Sequence, residues 1–293
     1  MQIESLKVFC DVVESRSFSK AAVLNFISQS AVSQQIRSLE ERYDQKLIER
    51  GKRNLTPTHA GQILYEMAKE VTERLEGMEH QLQKLSKSVG GTVRVATIYS
   101  VGLHELHPFV ADFMRRFPGV RLRVEYNRSS RIYDDVVGNA IDIGIVAYPA
   151  RRSGVDILPF RSDELVLVCP PTHALAGFKK VELRKLTGLP FIAFDRDVPT
   201  RRAIDRILRD HDVKAKIVME FDNIETIKRA IEIDAGVSIL PLMTVEREVA
   251  LGTLAAVRFA KVTYARPLGI LVKRGREIPS AMQRFINVLL GEE

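Results

Sequence analysis

Residues 17–61 read SFSKAAVLNFISQSAVSQQIRSLEERYDQKLIERGKRNLTPTHAG, and this stretch decides the fold. Ser17 and Ser19 offer side-chain caps to a short helix that holds Ala21, Ala22 and Leu24. Asn25-Phe26-Ile27 breaks it. Ser28 then caps a second helix, in which Val32, Ile36 and Leu39 recur at spacings of four and three, one apolar face of a 3.6-residue period. Two helices joined by a tight turn, the second with polar residues facing outward, describe a helix-turn-helix. After Leu47-Ile48 the run Glu49-Arg50-Gly51-Lys52-Arg53-Asn54 favours a turn, and Leu55-Thr56-Pro57 suits a returning strand. The pair predicts a β-hairpin wing, with four basic residues and one acidic residue between Lys46 and Arg53.

Upstream, Leu6, Phe9, Cys10 and Val13 form the stripe of a first helix. Downstream, a helix is expected over 58–87. Leu64, Met67, Val71, Leu75, Met78, Leu82 and Leu85 follow one another at intervals of three and four, a heptad-type seam with one stutter between Val71 and Leu75. A lone helix cannot bury such a stripe on itself, so the seam points to a second chain, with packing on its own N-terminal domain as the alternative. Residues 86–91 end the helix and are expected to act as a hinge.

The rest alternates strands and helices. TVRVATI from Thr92, VRLRVEY, IDIGIVA, ELVLVCP, PFIAF, KIVMEF, GVSILP and RPLGILVKR read as strands. Helices are expected around 106–117, over 199–211, from Asn223, and at the C-terminal end. This order argues for parallel sheets covered by helices, in two units with a cleft at their junction.

Composition limits the function. The 293 residues suit about two domains, and 45% hydrophobic with 28% charged is an ordinary globular balance. The longest uncharged run, 165–178, contains Pro170, Pro171 and His173 and falls short of the roughly 20 apolar residues of a membrane span. Glu4, Lys7 and Asp11 argue against a signal peptide, so a cytoplasmic location is expected. Cys10 and Cys169 lie in different expected domains, which reads as two buried reduced thiols. Of the net charge of +7, residues 1–90 hold an excess of one (13 basic, 12 acidic) and residues 91–293 an excess of six (31 basic, 25 acidic). The basic balance is therefore weak evidence for nucleic acid, and the cluster at 46–53 is better evidence. There is no Gly-rich phosphate loop, zinc-type Cys/His spacing or nucleophile elbow, so no catalytic residue, cofactor or metal is expected. His104 and His107 read as surface residues at a helix start. A transport binding protein or a related enzyme are rival classes, and neither needs an N-terminal winged helix; a scaffold or co-regulator that dimerises through the long helix is the remaining rival.

The 17–61 segment resembles the LysR-type transcriptional regulators, and the resemblance extends along the whole chain. It rests on the paired Ala21 and Ala22, on Ser28, Ala31, Val32, Ser33, Ile36, Leu39 and Glu40 in the recognition helix, and on Arg50, Arg53, Thr56 and Gly61 in the wing. Ser30, Gln34 and Ile48 stand where Pro, a basic residue and Phe are frequent, which bears on the operator sequence. Further on, GNAIDIGIV (138–146) and IEIDAGVSILP (231–241) resemble family segments, with Asn139 where Gly is usual.

The resemblance implies a winged helix-turn-helix over 1–58, a linker helix and hinge over 59–90, and a periplasmic-binding-protein-like α/β effector domain over 91–293. Its subdomain I would comprise 91–161 and 266–293, and subdomain II 162–265. Gln29, Ser30, Ser33 and Gln34 are expected to read bases in the major groove, where amides pair with adenine edges. Arg37, Arg50, Lys52, Arg53 and Thr56 would meet the backbone or minor groove of double-stranded promoter DNA. The effector cleft would be lined by Tyr99, Ser100 and Val101, by Arg128, Ser129 and Ser130, and by Val198, Pro199, Thr200 and Arg201. The arginines and hydroxyls there suggest a small anionic effector, helped by the helix N-terminus near Thr200. Surface pairing of these arginines with Asp195, Asp197 or Glu225 is the alternative. Dimerisation through the linker helix and a homotetramer through the C-terminal domains are also implied. Peroxide-sensing relatives use two cysteines in the C-terminal half, whereas Cys169 is alone there, which argues against an intramolecular redox switch.

Overall fold

The computed structural model describes residues 3–50, 55–85 and 89–292, and the chain divides into two compact units, Met1–Val89 and Gly90–Glu293. The first unit contains α1 (Ile3–Ser15), α2 (Phe18–Asn25), α3 (Gln29–Tyr43), the antiparallel hairpin β1 (Ile48–Arg50) and β2 (Leu55–Pro57), and α4 (His59–Leu85). Local chemistry sets the helix ends. Ser17 accepts a hydrogen bond from Lys20 N and Ser28 one from Ala31 N, each satisfying a donor that the first turn leaves open. Phe26 ends α2 in the left-handed region at φ 55° and turns the chain into α3. Phe9, Val12, Ala21, Val32, Ile36 and Leu39 close the core, so the inward stripe of α1 turns toward Val12 as well as Phe9. Gly61 sits where a Cβ would meet Leu47 O at 2.0 Å, so only glycine lets α4 lie this close to the strand entry.

In the second unit, β3 (Gly91–Thr97), α5 (Tyr99–His104), α6 (His107–Arg116), β4 (Val120–Tyr126), α7 (Ser129–Val137) and β5 (Ile143–Ala147) build one lobe. β6 (Val155–Cys169) leaves it. β7 (Lys180–Val181), β8 (Pro190–Phe194), α8 (Pro199–Asp210), β9 (Lys216–Phe221), α9 (Ile224–Glu232), β10 (Ser238–Pro241), α10 (Glu246–Leu251) and β11 (Ala255–Phe259) build the other. β12 (Tyr264–Lys273) returns to the first lobe, and α11 (Ser280–Leu290) closes it by packing Phe285 on Phe113. Ala96, Ile132, Val136 and Leu271 share one core, and Leu167, Ile192, Ile227 and Ile239 another.

Parallel pairing holds within the lobes, for β3 with β4 and β5 and for β8 with β9. The connecting strands depart from the all-parallel expectation. One leaves the first lobe and the other comes back, so β6 and β12 pair antiparallel, with their register shifted between Pro267 and Gly269. β10 and β11 pair antiparallel with β6 as well. Asn139 takes φ 58°, a conformation that glycine adopts most easily and asparagine next, which explains a substitute at this turn. Behind it Asp142 is 5% exposed and accepts from Arg94 and Arg276. Burial opposes its charge, but these two guanidiniums hold its carboxyl below the usual carboxylate range. No helix of the described residues is long and apolar enough to cross a membrane.

Candidate functional site

Two surfaces gather the expected site residues. On α3, Gln29, Ser30, Gln34 and Arg37 are exposed and Ser33 is half-buried, all on the face opposite Val32, Ile36 and Leu39. Arg37 lies over Glu41 at 2.9 Å in an exposed i,i+4 pair, which leaves it available to another anion. Thr56 is exposed on β2. Lys52, Arg53 and the side chain of Arg50 lie outside the described residues. Glu40, noted in the sequence only as a motif residue, accepts from Leu47 N, Ile48 N and Lys46 Nζ. Partial burial works against its charge, yet these donors lower its pKa, and the bonds tie α3 to the root of the hairpin.

The stripe on α4 is split. Leu64 packs into its own unit's core, whereas Ile63, Met67, Val71 and Met78 are exposed. Among the described side chains the exposed apolar stripe of α4 therefore starts at Ile63 rather than Leu64 and continues through Met67, Val71 and Met78. Leu82 and Leu85 have side chains outside the described residues.

In the second unit a cleft of about 820 Å³ opens between the lobes. Tyr99, Ser100, Arg128, Ser129, Ser130, Val198, Pro199 and Thr200 line it. Val101 and Arg201 do not. Val101 is wholly buried in its lobe. Arg201 is 4% exposed, and its guanidinium donates to Asp205, to Phe194 O and to Glu220. The helical period explains the miss. The cleft face of α8 carries Pro199, Thr200, Arg202, Ala203, Arg206 and Ile207, and Arg201 falls on the face toward β8 and β9. The arginines that reach the cleft from this helix are Arg202 and Arg206, which the helical period sets on a different face from Arg201.

Arg128 lines the cleft from the first lobe and spans it, donating to Asp197 at 3.0 Å and Asp222 at 2.8 Å, with Asp195 at 3.8 Å. The surface pairing held as an alternative thus occurs for Arg128, while Glu225 pairs instead with His104 at 2.8 Å. His104 is accordingly a half-buried bridge between lobes at the end of α5, not a surface residue at a helix start.

Sequence reading missed the floor of the cleft. Arg266, on β12, lines the cleft and is 2% exposed. It faces Asp163 across the strand pair and donates from Nη2 to Ser100 Oγ at 2.6 Å. Glu105 Oε1 stands 3.9 Å from Nη1, and burial, reinforced by Asp163 against the pull of Arg266, pushes its carboxyl up to about 7. Burial likewise pushes Cys10 up to about 12 and Cys169 up to about 11, far from a reactive thiolate.

Comparison with known proteins agrees with this architecture. Residues 3–62 match the family of bacterial regulatory helix-turn-helix proteins of the lysR type, and residues 86–292 match the LysR substrate binding domain. Relatives described as "Probable RuBisCO transcriptional regulator" include one from Porphyra purpurea, 28% identical over 98% of this chain and 93% of its own length, and one from Cyanidium caldarium, 27% identical over 99% and 93%. Full-length OxyR from Pseudomonas aeruginosa shares the fold at a TM-score of 0.76 and 20% identity, over 99% of this chain and 94% of that one. The regulatory domain of Synechocystis CcmR in complex with 2-PG does so at 0.64 and 23%, over 69% of this chain and 96% of that one. With both halves matched in order along one chain, the protein belongs to the LysR family and is a transcriptional regulator with an effector-binding domain, not an enzyme.

Proposed function

We propose that this regulator binds promoter DNA sequence-specifically through α3 and the wing, and that a small anion in the interlobe cleft modulates that binding. One observation carries the choice of an anion. Six arginines line the cleft (Arg128, Arg151, Arg152, Arg202, Arg206 and Arg266) against two carboxylates, Asp197 and Asp222, and both of these are engaged by Arg128. Arginine offers a planar fork that suits carboxylate or phosphate, and Ser100, Ser129 and Thr200 add hydroxyl donors. Ligands that touch both lobes bias their relative angle through contacts that differ between open and closed forms.

In this reading 91–161 with 266–293 and 162–265 act as the two subdomains, and the hinge at 88–91 carries the change to DNA-binding heads paired through α4. The exposed Met67, Val71 and Met78 support that pairing. The edge strand β9, with Ile217, Val218 and Met219 exposed, supports a further contact that would complete a tetramer. The protein would act in the cytoplasm, where promoter DNA lies.

Fluorescence anisotropy on the full-length protein with its own upstream DNA tests this reading. Carboxylates and sugar phosphates, together with the 2-PG found in the CcmR structure, are added across a salt series. Affinity for DNA falls steeply with salt, and at least one anion shifts the binding curve. A response to neutral or cationic metabolites alone refutes the anionic effector.

A further inference from the structure

The cleft floor gathers buried charged groups whose hydrogen-bonding capacity is left partly unused. Arg266 is almost wholly buried, yet its guanidinium makes one hydrogen bond, to Ser100 Oγ. Among the described residues its Nε and Nη1 have no hydrogen-bond partner, and neither do Glu105 Oε1 and Asp163 Oδ2 beside it. Donors and acceptors of opposite charge therefore stand close without bonding, Nη1 and Oε1 being 3.9 Å apart. Buried polar groups are normally satisfied, and those left open are costly unless something fills them. Ser100 lines the cleft and accepts from Arg266, so its own hydroxyl proton is left to donate.

We propose that Arg266 anchors the effector at the floor of the cleft, taking its oxyanion together with Ser100, and that Glu105 takes up a proton as the anion binds. The proposal rests on the anionic-effector reading and names the residue that would confer it. As the guanidinium turns its open donors to the ligand, Glu105 loses its counter-charge and faces a second negative group, so the neutral carboxylic acid is favoured. The charges around Glu105 come from every neighbouring element: Arg266 on β12, Asp163 and Arg161 on β6, with Glu246 of α10 acting on Asp163. Tyr148, after β5, adds a phenol that burial keeps neutral. Arg266 is the only cation among these to line the cleft.

The test uses the full-length protein and two probes. Malate keeps a constant charge between pH 6.5 and 8, and inorganic phosphate serves as a second anion at pH 7. Calorimetry on wild type should give malate affinity that strengthens as pH falls, by up to tenfold per unit where one proton is taken up. Arg266→Gln should lose at least tenfold for both probes, with Arg266→Lys recovering part. Glu105→Gln should still bind malate but with a flat pH profile, a readout that holds even if the Arg266 variants fold poorly. If neither probe binds wild type at any pH, this proposal falls, whereas the anionic reading falls only with a response to neutral or cationic metabolites alone. If the probes bind but the wild-type profile is flat, or Arg266→Gln binds as well as wild type, Arg266 is not the anchor and the anionic reading stands.

Discussion

In the proposed reading, the winged unit and the effector unit carry their function in opposite ways. The first holds it outward, on an exposed polar face of α3 and an exposed apolar face of α4, and its core is apolar throughout. The second holds it inward, in a cleft whose walls include buried charges such as Arg266, with Arg201 and Asp142 buried nearby in the same lobes. An outward residue can be removed at little cost to folding, since water replaces its partner. An inward charge cannot, because its removal strands the groups that satisfied it. Arg201 and Arg266 show the two outcomes: both are buried, but one has three acceptor groups and the other a single hydroxyl.

The largest expected effect breaks the outward surface of α4. Leu75→Glu places a carboxylate in the proposed seam, where burying an unpaired ion costs several kcal/mol. Sedimentation should show a lower mass while circular dichroism of the protein is kept; an unchanged mass would remove the seam. Next comes Arg201→Ala, which deletes a buried guanidinium and its bond to Phe194 O. Its carboxylate partners keep some access to water, so the loss should be about 3 kcal/mol in urea unfolding, with anion binding intact. A stable variant that had lost the anion response would return Arg201 to the cleft.

Asp142→Asn should cost about 2 kcal/mol at pH 7. Since the folded carboxyl is held below its ordinary value, the stabilisation is present above about pH 4 and fades as pH falls through the folded value. The gap between wild type and variant in urea midpoint should therefore narrow below pH 4, and a constant gap would contradict the ion-pair account. The smallest effect sharpens the outward side. Gln34→Ala should weaken binding to the true operator by about 1–3 kcal/mol, change binding to random DNA little, and leave the melting temperature alone. Equal losses on both DNAs would take Gln34 out of the base-reading set.

These differences follow from how far apart in the chain each site is assembled. The α3 face was legible because Gln29, Ser30, Ser33, Gln34 and Arg37 lie within nine residues of one helix, and Val32, Ile36 and Leu39 define the opposite side. The cleft face of α8 was legible in principle, since the helical period separates Arg202 and Arg206 from Arg201, but choosing the inward face required knowing where β8 and β9 lie. Arg266 stood in a segment read only as a strand. Its importance comes from Ser100, Glu105 and Asp163, which lie more than 100 residues upstream of it.

By itself the sequence determined what short-range physics controls: the capped helices at Ser17 and Ser28, the turn at Phe26, the hairpin wing, the apolar stripe of α4, and the alternation of strands and helices behind it. Tertiary structure alone decided that β6 and β12 pair antiparallel as the chain crosses between lobes and returns. It also decided that Arg201 is consumed by Asp205 and Glu220 while Arg266 is left with open donors beside the cleft. The physical reason is that a charged side chain's role depends on which partners reach it once water is excluded, and those partners come from distant strands that no local pattern brings together.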